Sequence, residues 1–240
     1  MEEWLARTEM LLGAEGLKKL ASARVLVAGL GGVGAYAAEM ICRAGAGSMT
    51  IADGDIISPT NRNRQLPALK STEGLSKAEV MGARLSQINP GIKLTIINEY
   101  LNDDRMTQIL AVGFDYVVDA IDTLSPKTYL IRECLKLKYP LVSSMGSGGK
   151  YDPLRVRIAD ISETTECSLA RVIRKRLRKM GIAEGFTAVF SPEKTDKTKI
   201  LPVRDEKNKA SVVGTISYMP ATFGIACASV VIRDLAGIPR

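Results

Sequence analysis

The chain has 240 residues, 46% hydrophobic and 25% charged, the make-up of a globular domain with a sizeable core. Its 33 basic against 26 acidic residues give a net charge of +7, which favours an anionic partner such as a nucleotide or nucleic acid. Histidine is absent, and with it go Ser-His-Asp triads, imidazole catalysis and His-ligated metals. The 4 cysteines, Cys42, Cys134, Cys167 and Cys227, form no C-x-x-C pair, which argues against a zinc site or a disulfide framework and suits a reducing cytoplasm.

The opening "MEEWLARTEM" reads as an acidic helix rather than a secretory signal. Residues 24–53 read as strand, glycine turn, helix and strand, and "RVLVAGL" is the continuous apolar run of a strand buried on both faces. After a polar loop, "SKAEVMGARLSQINP" is a helix with Ser76 as N-cap, Glu79 completing a capping box and Pro90 as its stop. "IKLTIINEY" is a third strand. "NDDRMTQILAVG" is a helix opened by Asn102 and stopped by Gly113. "FDYVVDAID" is a fourth strand, "SPKTYLIRECLKLKY" a helix capped by Ser125 with Pro126 at its first position, and "PLVSSM" a fifth strand. This alternation predicts an α/β fold with a Rossmann-like, doubly wound, mostly parallel sheet. Beyond it, "LRVRIADI", "FTAVFS" and "SVVGTISYM" predict antiparallel strands that extend the sheet, with the basic helix "SLARVIRKRLRKMG" among them. Residues 191–210 are polar and without period, which predicts a mobile loop. The uncharged stretch 210–232 is long enough to span a membrane, but Gly214, Pro220 and Gly224 interrupt it. It reads as a buried strand near 211–218 and a buried helix near 221–235, not a stable span.

Gly29, Gly31 and Gly34 satisfy G-x-G-x-x-G, with Gly32 as an extra glycine. Between a strand and a helix, such a turn lets backbone approach phosphate or ribose, and the helix N-terminus favours negative charge. Asp53 closes the next strand, where a carboxylate accepts hydrogen bonds from ribose hydroxyls. These residues indicate a nucleotide and leave NAD and ATP both open. The loop "ISPTNRNRQLPA" (57–68) tips the balance. Arg64 offers a planar five-donor fork, Asn61 and Gln65 add neutral donors, and Lys77 supplies a point charge for a polyphosphate. A nicotinamide dehydrogenase has no need of this cluster. Nucleotidyl transfer does, because it rests on positioning and on charge stabilisation at phosphorus. Arg62 has no assigned role beyond a solvated loop. "DAID" (119–122) ends the fourth strand at the edge where such sheets bind ligands; Asp122 suits Mg²⁺ on a triphosphate, and Asp119 reads as structural.

"RVIRKRLRK" (171–179) holds six basic residues in nine. As a helix it places Arg171, Arg174, Lys175 and Arg178 on one face and Val172, Ile173 and Leu177 on another. Two readings stand, a phosphate-tracking surface and a solvated amphipathic helix. Cys42, Cys134 and Cys227 read as packing residues. Cys167, near a loop, reads either as packing or as a sulfur-transfer thiol.

In this order "GLGGVG", Asp53 with Asp55, "NRNRQ", "GLSKAEV", "INP" and "DAID" resemble the ubiquitin-activating-like adenylation superfamily, over residues 7 to about 145. The resemblance implies ATP and Mg²⁺, with Gly32 and Asp53 on the nucleoside, Asn61, Arg64 and Lys77 on the phosphates, and Asp122 on the metal. Gly29, Gly31, Gly34, Asp55 and Gln65 complete the cofactor-binding set. Arg7, in "RTEMLLG", matches an arginine that in the family reaches a partner's phosphates, which implies a homodimer with sites completed in trans. Arg64, Lys77, Asp122 and Arg7 are thus the catalytic candidates. "SSMGSGGK" resembles a segment that in some relatives shapes a monovalent-cation (Na⁺ or K⁺) site.

"PLVSSMGSGGKYDPLRVRIADI", "SLARVIRKRLRKMGI", "VFSPEK" and "GTISYMPATFG" resemble the family of bacterial tRNA threonylcarbamoyladenosine dehydratases. The two C-x-x-C pairs usual in activators of molybdopterin and thiamine sulfur carriers are missing, and the chain is too short for a catalytic-cysteine domain. That family often has Asp-Pro-Leu where this chain has Cys167-Ser168-Leu169. The implied organisation is one adenylation domain over 1–240, with an ATP-binding half (1–150) and a C-terminal extension (151–240). The implied substrate is tRNA carrying threonylcarbamoyladenosine, with a sulfur-transfer protein as an open further partner. Two alternatives are adenylation of a ubiquitin-like sulfur carrier's C-terminal carboxylate and a non-catalytic nucleotide-binding scaffold.

Overall fold

The computed structural model describes residues 2–202 and 211–239. It opens on α1 (Ala6–Ser22), bent where Gly13 adopts φ 74° and ψ 162°. Next come β1 (Arg24–Ala28), α2 (Gly34–Arg43), β2 (Ser48–Ala52), α3 (Lys77–Ile88), β3 (Lys93–Ile97), α4 (Asp103–Leu110), β4 (Tyr116–Asp119), α5 (Leu124–Lys136) and β5 (Leu141–Ser144). The later part adds β6 (Arg157–Asp160), α6 (Ser168–Arg178), β7 (Thr187–Phe190), β8 (Ile200–Pro202), β9 (Ser211–Val213) and α7 (Tyr218–Ala236).

Seven strands share one sheet in the order β3-β2-β1-β4-β5-β7-β6. Neighbours run parallel except β6, which pairs antiparallel with β7 at the edge. The fold is α/β, Rossmann-like and doubly wound, with an antiparallel addition, as the alternating pattern predicts. Strand order reverses between β1 and β4, so a crevice opens at their carboxyl ends. One face of the sheet packs against Ala38 and Ile41 of α2, Met81 and Leu85 of α3, and Phe223 and Val231 of α7. The other packs against Met106 and Ile109 of α4, Leu130 and Ile131 of α5, and Ile173 and Leu177 of α6. With both faces covered, Val25–Ala28 and Val117–Asp119 are almost wholly buried, which is why the central strands read as unbroken apolar runs.

Local signals hold where they rest on local chemistry. Ser76 Oγ accepts from Glu79 N–H at 3.3 Å, and Asn102 Oδ1 from Arg105 N–H at 2.8 Å. Other boundaries differ. α5 begins at Leu124, with Thr123 at the cap rather than Ser125, and Pro126 sits within its first turn. That turn has no intrahelical acceptor for its N–H groups, so the proline costs no bond. The strand expected over 211–218 is only Ser211–Val213, and it pairs with β8 outside the main sheet. α7 starts at Tyr218 and tolerates Pro220 for the same first-turn reason. Within the expected mobile loop 191–210, Lys197–Lys199 form a 3₁₀ turn and Ile200–Pro202 a strand, while 203–210 lie outside the described residues. α7 is long and apolar enough to cross a membrane, with mean hydropathy 1.3, yet half of that window is buried inside the fold.

Candidate active site

Strand register sets the site. Ala28 pairs with both Ala52 and Asp119, so Gly29, Asp53 and Ala120 emerge level at one edge. Gly29 adopts φ 88°, and a Cβ there would lie 2.7 Å from the Ala120 carbonyl oxygen. A Cβ on Gly34 would lie 1.7 Å from the Gly29 carbonyl oxygen, so only glycine lets α2 start this close to β1. At Gly32 a Cβ would meet Pro220 of α7 at 2.8 Å and the Arg64 carbonyl at 3.4 Å. Gln65 Nε2 comes within 3.7 Å of the same point on Gly31. The Asn61–Gln65 loop therefore lies across the glycine turn.

Asp53 holds this turn from below. Its carboxylate accepts from Leu30 N–H at 2.6 Å and from Asp55 N–H at 2.8 Å. Burial raises its pKa, and the charge of Lys77 opposes that rise. Lys77, at the first position of α3 and 5% exposed, places Nζ 2.7 Å from Asp55 Oδ2. Arg64 donates to the Thr60 carbonyl at 3.0 Å and to Asn63 Oδ1 at 2.8 Å, so its fork is turned onto its own loop. Asn61 shapes that loop: its Oδ1 accepts from Ser58 N–H at 3.1 Å and its carbonyl from Gln65 N–H at 2.9 Å. Gln65 Oε1 is a buried acceptor with no hydrogen-bond partner among the described residues, and a ligand donor would satisfy it. Arg62 is not part of this group; it pairs with Glu73 at 3.3 Å. Asn63 Nδ2 donates to the Thr215 carbonyl at 3.0 Å and ties the loop to the approach to α7.

Asp122 lies at the carboxyl edge of β4 and is exposed. Among the described residues no cluster of three or more His, Cys, Asp or Glu side chains could hold a metal. A single exposed carboxylate, two residues beyond the Ala120 carbonyl that meets Gly29, still fits Mg²⁺ that arrives on a triphosphate, since phosphate oxygens would supply the other ligands. Asp119 is structural, fully buried and paired with Lys127 at 2.8 Å. Sequence reasoning missed Lys127, although it shares the inward face of α5 with Leu130 and Ile131 at i, i+3, i+4 spacing. Arg7 is exposed on α1 and is not brought to this group. Just before it, Leu5 packs within 3.1 Å of the Cβ position of Gly45, before the amino end of β2 and opposite the site.

Away from the crevice, all four cysteines are free and buried. Burial pushes Cys42 up to about 11 and Cys227 up to about 12, and raises Cys134 as well. Cys167 is 6% exposed and caps α6 without a side-chain bond, so of its two readings the covered thiol favours packing. On α6, Arg174 donates to the Thr164 carbonyl at 2.7 Å and to its hydroxyl, which removes it from the expected basic face. Arg171, Lys175 and Arg178 remain exposed. Lys150, 2% exposed, donates to the carbonyls of Glu166 at 3.2 Å and of Glu193.

Residues 5–240 match the model of the ThiF family. The chain belongs to the ThiF family. Within it, the tRNA threonylcarbamoyladenosine dehydratase of Bacillus subtilis is 39% identical over 237 residues, covering 96% of this chain and 93% of that protein. The crystal structure of Escherichia coli tRNA N6-threonylcarbamoyladenosine dehydratase in complex with ATP matches with a TM-score of 0.89 at 35% identity, covering 97% of this chain and 93% of that one. The molybdopterin-synthase adenylyltransferase of Salmonella typhimurium is 40% identical over 129 residues, only 54% of this chain and 51% of that protein. Likeness to this adenylyltransferase therefore stops at about half the chain, whereas likeness to the dehydratases runs through it.

Proposed function

We propose that this ThiF-family protein is an ATP-dependent tRNA threonylcarbamoyladenosine dehydratase. The observation that carries the reading is likeness to dehydratases over more than nine-tenths of both chains. The substrate carboxylate attacks the α-phosphorus of ATP, a P–O bond forms, and pyrophosphate leaves with the electrons of the broken bond. A nitrogen of the same substituent then attacks the activated carbonyl and expels AMP, so that one water is lost overall. The second step is intramolecular, and orientation supplies up to about 7–11 kcal/mol of its barrier. It requires no enzyme nucleophile, which accords with a chain without histidine and with every thiol buried.

The glycines at 29, 31, 32 and 34 bring backbone close to the nucleotide, and Asp53 accepts from its ribose. Asn61 and Gln65 donate to it. Arg64 and Lys77 stabilise charge at phosphorus, and Lys77 exchanges Asp55 for phosphate. Asp122 would hold Mg²⁺, which when bound neutralises charge on the triphosphate. For a monovalent cation at the 143–150 segment the hydrogen bonds of Lys150, which run to the carbonyls of Glu166 and Glu193, give no support. No step is assigned to one.

Arg7 serves a second subunit's site. In support, it stands on the far side of its own sheet beside Met10 and Leu11, which are 86% and 83% exposed. The three exposed basic residues of α6 offer tRNA a phosphate-tracking surface. β6 and β7 complete the sheet of the first half, which supports one adenylation unit over the whole chain; a cytoplasmic location accords with its tRNA substrate. A sulfur-transfer partner draws no support from the covered Cys167.

The half-length likeness to a carrier activator favours, as a second reading, adenylation of a carrier protein's carboxylate. One assay separates the readings: pyrophosphate release with modified tRNA, with a carrier protein, and with neither. Release with tRNA, together with loss of one water from the nucleoside by mass spectrometry, is expected. Release only with the carrier overturns the dehydratase reading, and no release in any of the three arms points to the scaffold.

A further inference from the structure

Behind Asp122 lies a charge pair fully sealed from solvent. Lys127 Nζ stands 2.8 Å from Asp119 Oδ2, and both side chains are 0% exposed. Ser143 Oγ of β5 donates to the same carboxylate oxygen at 2.6 Å. The remaining bonds converge on Ile121. Asp119 Oδ1 accepts from its N–H at 3.1 Å, and Lys127 Nζ donates to its carbonyl at 3.1 Å. Both backbone polar groups of Ile121 are thus held, and Asp122 is the next residue. The same turn borders the nucleotide side, where the Ala120 carbonyl crowds Gly29.

A buried ion pair contributes little net stability compared with apolar residues of the same volume. What it does provide is direction, because each partner must be met by defined acceptors and donors. Here those partners belong to the peptide that carries Asp122. We propose that Lys127 is a positioning residue: acting through Ile121, it holds the 120–122 turn so that the Asp122 carboxylate meets the metal that accompanies ATP. This rests on the nucleotide reading of the site. Outer partners of metal ligands commonly govern metal affinity in this way, since a ligand free to swing must be ordered at the moment of binding.

The test reads binding rather than turnover. ATP affinity is measured by calorimetry, once in EDTA and once in excess Mg²⁺, for wild type, Lys127→Met, Lys127→Arg and the double variant Asp119→Asn/Lys127→Met. The double variant removes both charges and so leaves no unpaired ion in the core if the single variant fails to fold. In wild type, Mg²⁺ should tighten ATP binding. In Lys127→Met and in the double variant, metal-free ATP should bind near wild-type affinity, while the gain from Mg²⁺ falls roughly 10-fold or more. Lys127→Arg should recover part of that gain. An unchanged Mg²⁺ gain in the folded double variant overturns the proposal. So does equal weakening with and without metal, which would mark Lys127 as packing for the whole site, or a wild type whose ATP affinity ignores Mg²⁺. A wild type that binds no ATP in either condition defeats the nucleotide reading itself.

Discussion

Replacing Arg64 by alanine separates a phosphate-handling role from a structural one. Among the described residues its guanidinium bonds only to the Thr60 carbonyl at 3.0 Å and Asn63 Oδ1 at 2.8 Å, both on its own surface loop. Bonds of this kind contribute about 1 kcal/mol to folding. For a chain of this length that lowers Tm by about 2–4 °C. On the proposed reading, the same group meets charge that grows at phosphorus in the adenylation step. Loss of one such donor costs about 10²–10³ in kcat, or about 2.7–4 kcal/mol. The assay is pyrophosphate release from ATP with modified tRNA, run beside a thermal melt. Arg64→Lys should recover little, because an ammonium cannot reproduce a planar two-donor fork. A folded Arg64→Ala enzyme that turns over within a few-fold of wild type refutes the assignment. A collapsed melt with lost activity refutes the claim that the side chain is dispensable for folding.

Gly34→Ala should abolish ATP binding by calorimetry, because its Cβ would fall 1.7 Å from the Gly29 carbonyl oxygen; retained affinity would mean that the turn is not the nucleotide site. Burial pushes the Glu39 pKa up, but hydrogen bonds from Arg84 and Arg43 outweigh it and hold it below 4.5. A lowered carboxylate stabilises the fold above its unfolded pKa, and this stability is lost as pH falls through the folded value. Glu39→Gln should therefore cost about 1–3 kcal/mol in urea unfolding at pH 7 and progressively less at acid pH, and an unchanged gap contradicts the sign. Mixing inactive Arg7→Ala with inactive Arg64→Ala should restore pyrophosphate release, since one site of the mixed dimer keeps both arginines; no recovery despite demonstrated subunit exchange excludes completion in trans. Charge reversal at Arg171, Lys175 and Arg178 together should flatten the salt dependence of tRNA affinity by about 0.7–0.9 for each phosphate no longer neutralised. An unchanged slope removes α6 from the interface.

Much of the sheet edge around the glycine turn was legible because its causes are local. An apolar run, a glycine spacing and an acid at the next strand end specify β1, the turn and Asp53 within thirty residues of one another. Caps at Ser76 and Asn102 depend on bonds spanning three residues. What escaped the sequence depends on distant partners. That β7 enters beside β5 while β6 takes the edge is a matter of pairing between remote segments. Arg62 lacked a role until Glu73 was brought beside it. Arg174 reads as part of a basic stripe because helical spacing shows which residues share a face, not that Thr164 waits there. Lys127 escapes notice because lysine is ordinarily a surface residue, and its partner Asp119 sits on another element.

The two cations proposed for the phosphates, Lys77 and Arg64, are not held in the same way, and the difference bears on how ATP would enter. Lys77 is 6% exposed at its side chain while Asp55, its partner at 2.7 Å, is 61% exposed. A lysine so covered cannot stand unpaired without a large desolvation cost, so it must keep an anion at all times. Asp55 faces water and can turn outward cheaply. An arriving phosphate can thus replace it, exchanging one anion for another at nearly constant charge around Lys77. Arg64, held among the described residues by a carbonyl and an amide oxygen, would gain an anionic partner. Its contribution therefore rises with charge at phosphorus, whereas that of Lys77 is largely balanced in both states. That asymmetry makes Arg64, rather than Lys77, the residue whose loss should fall on kcat more than on ATP affinity.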